Sequence, residues 1–118
     1  MDSVHKIMLV DDHTLFRDGM RRLLDNRPDC KVVAEASNGA EFLQTVRNSP
    51  DIADVVFMDI DMPVVGGIEA SQKALEINPE LKIITLSMHG DQEYYFKMVS
   101  VGVKGFLLKS SDFDEVLS

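Results

Sequence analysis

Cysteine is almost missing from this 118-residue sequence. The single one, Cys30, excludes an internal disulfide and cannot build a zinc site. Such sparing use suits a reducing cytoplasm. Basic residues are outnumbered as well: 12 lysines and arginines stand against 20 aspartates and glutamates, a net charge of −8. A chain this acidic lacks the electrostatic footprint of nucleic-acid binding, so direct contact with DNA or RNA by these residues is not expected. Long early apolar runs are absent. Ile7 to Val10 is ended by Asp11 and Asp12, too soon for a signal peptide or a membrane span. No internal repeat, low-complexity tract, Walker glycine-lysine loop or hydrolase nucleophile elbow occurs. What remains, 45% hydrophobic and 27% charged, is the composition of one globular domain.

A pattern does recur: a short apolar run, a turn, then an amphipathic stretch. The runs are Ile7–Val10, Val32–Ala34, Val55–Met58, Ile83–Leu86 and Phe106–Leu108. Continuous rather than alternating runs are expected of strands covered on both faces. Between them, Leu15, Phe16, Met20, Leu23 and Leu24 share one face of a first helix. Phe42 with Val46, Ile68 with Leu75, and Tyr94 with Met98 mark three more. Asn38, with Glu41 three residues on, is a candidate cap of the second helix. Asp91 could cap the fourth, and Ser110, Ser111 or Asp112 the last. Pro28, Pro50, Pro63 and Pro79 fall between elements. Alternation of strand and helix with right-handed crossovers predicts a parallel sheet with helices on both faces. The expected fold class is α/β, a flavodoxin-like (βα)5 three-layer sandwich. Its five-stranded sheet takes the order 2-1-3-4-5, the commonest choice for so short a chain.

Ligands of such sheets bind beyond the carboxyl ends of the strands. Asp11 and Asp12 follow the first run, Asp59 the third, Ser87 the fourth and Lys109 the fifth. Any one of them alone is an ordinary turn residue. Together they form a set suited to phosphoryl chemistry. Clustered carboxylates repel and need a cation or a proton, and Mg2+ fits oxygen ligands best. His5, His13 and His89 are scattered and read as polar surface residues. A carboxylate beside Mg2+ can attack phosphorus, with Lys109 and Ser87 meeting the phosphoryl oxygens.

Four segments carry a resemblance that spans nearly the whole chain. They are Val10-Asp11-Asp12-His13, Met58-Asp59-Ile60-Asp61-Met62-Pro63, Leu86-Ser87-Met88-His89 and Gly105-Phe106-Leu107-Leu108-Lys109. In this order the sequence resembles a receiver domain of two-component response regulators. Asp11-Asp12-His13-Thr14-Leu15-Phe16-Arg17 and the last two segments resemble the NarL/FixJ subfamily, whose members usually carry a LuxR-type helix-turn-helix. The resemblance implies that Asp59 is the phosphoacceptor. Asp11, Asp12 and Asp59 hold Mg2+, Asp12 more directly and Asp11 through water, and the backbone carbonyl of Asp61 completes the site. Ser87 and Lys109 bind the phosphoryl group, and Ser87 and Phe106 form the switch. The implied partners are a sensor histidine kinase and the domain's own output module or a second receiver in a phosphorylation-promoted homodimer. DNA is reached only through the output module, no membrane is involved, and the location is cytoplasmic. Residues 1–118 then form one receiver domain excised from a longer regulator. Ser110 replaces a proline common in receivers, Met88 replaces a small residue, and His89 and Asp61 occupy positions that tune dephosphorylation.

Other residues have structural readings. Met62-Pro63 and Gly66-Gly67 suit a turn, Cys30 a turn or an edge strand without chemistry, and Arg17, Asp18, Arg21 and Arg22 a solvated helix face that in the family also meets the kinase. Three rival readings make different demands on the same residues. In a haloacid-dehalogenase-type phosphatase, Asp59-Ile60-Asp61 would be nucleophile and acid. Pro63 and the earlier position of Asp11-Asp12 oppose that reading. A flavin-binding flavodoxin relative needs a phosphate loop rich in Ser, Thr and Gly where two aspartates stand. A receiver-like module without phosphorylation would need a defect that the complete set of acceptor-site residues does not show.

Overall fold

Burial on both sides governs the central strands. The computed structural model describes residues 4–59, 66–87, 100 and 102–108, and of Ser87 and 105–108 the backbone alone. Its elements are β1 (His5–Val10), α1 (Thr14–Asp25), β2 (Cys30–Ala36), α2 (Gly39–Asn48), β3 (Val55–Asp59), α3 (Gly67–Ile77), β4 (Lys82–Ser87) and β5 (Gly105–Leu108). The strands form one five-stranded parallel sheet in the order β2-β1-β3-β4-β5, as expected from the sequence. The segments expected to hold the fourth and last helices, with Asp91, Tyr94, Met98, Ser110, Ser111 and Asp112, lie outside the described residues, as do Met62 and Pro63.

Side chains of β1 divide between the two faces because successive residues of a strand point in opposite directions. Ile7 and Leu9 join Met20 and Leu24 of α1, with Phe57 and Leu86. Met8 and Val10 join Phe42 and Val46 of α2, Ala70 and Ala74 of α3, and Val56, Met58 and Ile83. Four consecutive apolar residues are therefore needed, two for each layer. β2 lies at the edge and is mostly half-buried, and its register against β1 shifts between Ile7 and Met8. Cys30 opens this edge strand. Burial and the neighbouring Asp29 carboxylate push its thiol pKa up, away from reactivity.

The first helix departs from expectation. Met20 and Leu24 are buried and Phe16 packs beside them, but Leu15 is 89% exposed and Leu23 50% exposed. At ~100° per residue, the stripe Phe16-Met20-Leu24 faces the sheet, and each leucine one position earlier is rotated off it. α3 is also different in kind. Its buried residues are small, Gly67, Ala70, Ser71 and Ala74, and Ile68 and Leu75 flank the core half-buried. α2 begins as its sequence suggests. The Asn38 side chain accepts from the Glu41 N–H at 2.9 Å, and Glu41 Oε1 accepts from both the N–H and the hydroxyl of Ser37 at 2.9 Å. No helix of the described residues is long and apolar enough to cross a membrane.

Two outcomes follow from these contacts. Gly102, just before β5, has φ +98°, and a Cβ there would meet Leu75 Cδ1 at 3.3 Å. Gly102→Ala is expected to lower stability by about 1–2 kcal/mol in urea unfolding. The Ser37 hydrogen bonds hold the Glu41 carboxyl below its ordinary pKa. Its contribution to stability is then complete above the ordinary carboxylate pKa and is lost as pH falls through the lowered one. Glu41→Gln should remove that part of the acid dependence, read as the difference between urea midpoints at neutral and acid pH.

Candidate functional site

All five strands run the same way, so their carboxyl ends meet at one edge of the sheet. Val10 pairs with Met58, which brings the next residues, Asp11 and Asp59, side by side on adjacent strands. Asp59 pairs in turn with Leu86, the residue before Ser87, and Ser87 pairs with Leu108, the residue before Lys109. The backbone thus aligns three of the residues expected at the site, Asp11, Asp59 and Ser87. The side chains of Ser87 and Phe106 are not among the described ones. Lys109, Asp61, Met88 and His89 lie outside the described residues.

Asp11 and Asp59 are 2% and 1% exposed, although carboxylates are normally kept in water. Asp12 and His13 are exposed. One ligand atom each from Asp11, Asp12, His13 and Asp59 falls within a group no wider than 4.8 Å. The turn that gathers them is local: the His13 N–H donates to Asp11 Oδ1 at 2.8 Å, closing the loop between β1 and α1. His13 Nδ1 lies 3.2 Å from Asp11 Oδ1 and 3.6 Å from Asp12 Oδ1. His13 is therefore a surface residue, as read from the sequence, but also a member of the cluster, which its scattered position among the histidines had hidden.

Arg17 is the residue that sequence reasoning misplaced. Its position in the sequence suits a solvated helix face, but its side chain is only 17% exposed. Its Nη1 donates to the Asp11 carbonyl at 2.6 Å and to the Ala36 carbonyl at 3.5 Å, while Nε donates to Glu35 Oε1 at 3.1 Å. Arg21 Nη1 takes the other oxygen of Glu35 at 3.0 Å. The sequence signals for Arg17 are its place shortly after the acidic pair and its membership of the Asp11–Arg17 segment that carries the subfamily resemblance.

The donor set is dominated by carboxylate oxygens, two of them from buried residues. Like charges gathered in a poorly solvated place call for a compensating cation or a proton, and of cations a hard divalent ion such as Mg2+ fits oxygen donors. The residues present therefore fit an acidic divalent-cation pocket, with His13 at its rim. A separate concavity of about 480 Å3 opens at the opposite end of the strands, lined by His5, Lys6, Asp54, Glu80 and Lys82 among others. Charges of both signs mix there, unlike the carboxylate cluster.

Known proteins agree with this geometry. The response regulator receiver domain family matches residues 7–118. The transcriptional regulatory protein DegU of Brevibacillus brevis is 37% identical over 95% of this chain and 47% of its own length. The response regulator UvrY of Escherichia coli K12 is 39% identical over 95% of this chain and 50% of its own length. The chain thus spans about half the length of these curated relatives. A LuxR-family two-component response regulator from Aurantimonas sp. SI85-9A1 superposes with a TM-score of 0.89 at 37% identity. That match covers 98% of this chain and 81% of that one. The receiver domain of the NarL regulator from Mycobacterium tuberculosis gives 0.86 at 28% identity, covering 98% and 91%. Receiver domains are regulatory signalling domains rather than classical enzymes, and they bind Mg2+ at an acidic pocket of this kind. The chain belongs to the response regulator receiver domains of two-component systems, among relatives of the LuxR/NarL type.

Proposed function

We propose that the domain takes a phosphoryl group onto Asp59 from the phosphohistidine of a sensor histidine kinase and acts as a phosphorylation-dependent switch. The observation that supports this reading most is the buried Asp59 carboxylate, grouped with those of Asp11 and Asp12 at the strand ends. An Asp59 oxygen attacks phosphorus, the phosphorus–nitrogen bond breaks, and the imidazole leaves with a proton. Asp11, Asp12 and Asp59, with the Asp61 backbone carbonyl, would hold Mg2+. When bound, the ion supplies charge neutralisation for the transferring phosphoryl oxygens. Ser87 donates its hydroxyl to one of those oxygens and Lys109 pairs with another as a point charge.

The added negative charge then draws Ser87 and Lys109 inward, and Phe106 follows Ser87, favouring a second arrangement of the surface around β5. That face would bind a second receiver or an output module. Coupling of ~1–3 kcal/mol between phosphate and partner is enough for a usable switch. Residues 1–118 are read as the receiver of a longer cytoplasmic transcription regulator, in which a helix-turn-helix module contacts DNA. Relatives about twice as long, one of them a transcriptional regulatory protein, support that reading. A haloacid-dehalogenase-type phosphatase would carry its nucleophile on the first strand, whereas Asp59 closes the third.

Acetyl phosphate with Mg2+ should give one aspartyl phosphate per chain in the wild type and none in Asp59→Asn or Asp59→Ala. A wild-type level in Asp59→Ala overturns the acceptor assignment. Mg2+ binding to the native state should raise unfolding free energy by about 1.4 kcal/mol at a free concentration about tenfold above Kd. EDTA should reverse the gain, and Asp11→Asn should lack it. Thermal or urea unfolding with and without the ion checks this.

A further inference from the structure

Arg17 has no part in the phosphoryl chemistry proposed above, yet it is fastened to the backbone beneath the acidic pair. The Asp11 peptide is held from both sides: its N–H donates to the Ala36 carbonyl at 3.0 Å, and its carbonyl accepts from Arg17 Nη1 at 2.6 Å. The same guanidinium reaches the Ala36 carbonyl at 3.5 Å and Glu35 Oε1 at 3.1 Å, both at the end of β2. Asp11 and Asp12 share the peptide whose carbonyl Arg17 holds. The orientation of that peptide decides whether the exposed Asp12 carboxylate turns toward the buried Asp11 and Asp59 or away into solvent.

A guanidinium is an awkward neighbour for a divalent cation, because the two repel. Glu35 answers this. Its carboxylate pairs with Arg17, the two side chains being only 17% and 24% exposed, and Arg21, which shares that carboxylate, is itself balanced by Asp25 at 3.7 Å. The arginine can then serve as a rigid planar clamp, a geometry that lysine does not reproduce. We propose that Arg17, neutralised by Glu35, is a positioning residue that fixes the Asp11–Asp12 backbone in its metal-binding orientation. The proposal rests on the Mg2+ reading given above and extends it to a group that touches neither metal nor phosphate.

Charge and geometry make opposite predictions, which makes the test decisive. If Arg17 acted only through its charge, Arg17→Gln would bind Mg2+ more tightly, since a nearby cation is gone. If it acts by positioning, Arg17→Gln and Arg17→Lys both bind Mg2+ about tenfold more weakly, as expected for the loss of an outer-shell support. Arg22→Gln removes the same charge from an exposed position of α1 and should leave the affinity unchanged. Mg2+ titrations of the purified domain, followed through the amide signal of His13, whose N–H bonds Asp11, report affinity and local geometry together. The His13 signal should shift in both Arg17 variants even before metal is added. Arg17→Lys carries the test if Arg17→Gln does not fold. Variants that bind Mg2+ as tightly as the wild type, or more tightly, overturn the positioning role while the functional reading stands. A wild-type domain that does not bind Mg2+ overturns both.

Discussion

Mutual repulsion among carboxylates is the constraint around which this domain is organised. Asp11 and Asp59 are buried side by side at the ends of adjacent strands, with Asp12 and His13 at the rim. Nothing in local propensity would place acidic groups there. They are held by the parallel pairing of β1 with β3, which the two apolar layers enforce from both faces. The stability of the sheet thus maintains an arrangement that is electrostatically unfavourable without a cation or a proton, which is the basis of the metal and phosphoryl roles proposed above.

The scaffold shows how this is achieved. The strand alternation that sends Ile7 and Leu9 to α1 and Met8 and Val10 to α2 and α3 leaves the next residue, Asp11, just beyond the carboxyl end of β1, beside Asp59 of β3. The chain leaves β1 toward β2 on one side, and β3 pairs on the other. This is the point at which open α/β sheets accept ligands. Around it, short-range hydrogen bonds refine the geometry: His13 to Asp11, and Arg17 to the backbone of both Asp11 and Ala36.

Much of this was legible in the sequence. The short apolar runs marked five strands, three of them continuous, as burial on both faces leaves no alternation to misread. The acidic pair and Asp59 stood out because each follows such a run. The sheet order was legible only as the commonest arrangement, since no residue pattern encodes which edge a strand takes. The Asn38 cap was visible because its partner Glu41 lies at a fixed short spacing. Leu15 and Leu23 misled because leucines one position before the residues of a buried stripe look like part of it. Arg17 was hidden for a different reason. Its burial depends on Glu35 and Ala36, residues brought near only when β2 pairs with β1. A long-range ion pair leaves no periodic trace in the chain. The roles expected of Ser87, Phe106, Asp61 and Lys109 rest on family resemblance, supported for Ser87 by its place at the end of β4 beside the strand that Asp59 closes.

The central claim is that the carboxylate at position 59 is where phosphate arrives. Borohydride reduces an aspartyl phosphate to homoserine and leaves free carboxylates unchanged, so it marks the acceptor in the unmutated protein. After incubation with a phosphohistidine or acetyl phosphate donor and Mg2+, reduction and peptide mass spectrometry should find homoserine at position 59 alone. Homoserine at position 11 or 12, or at none of the three, would contradict the account.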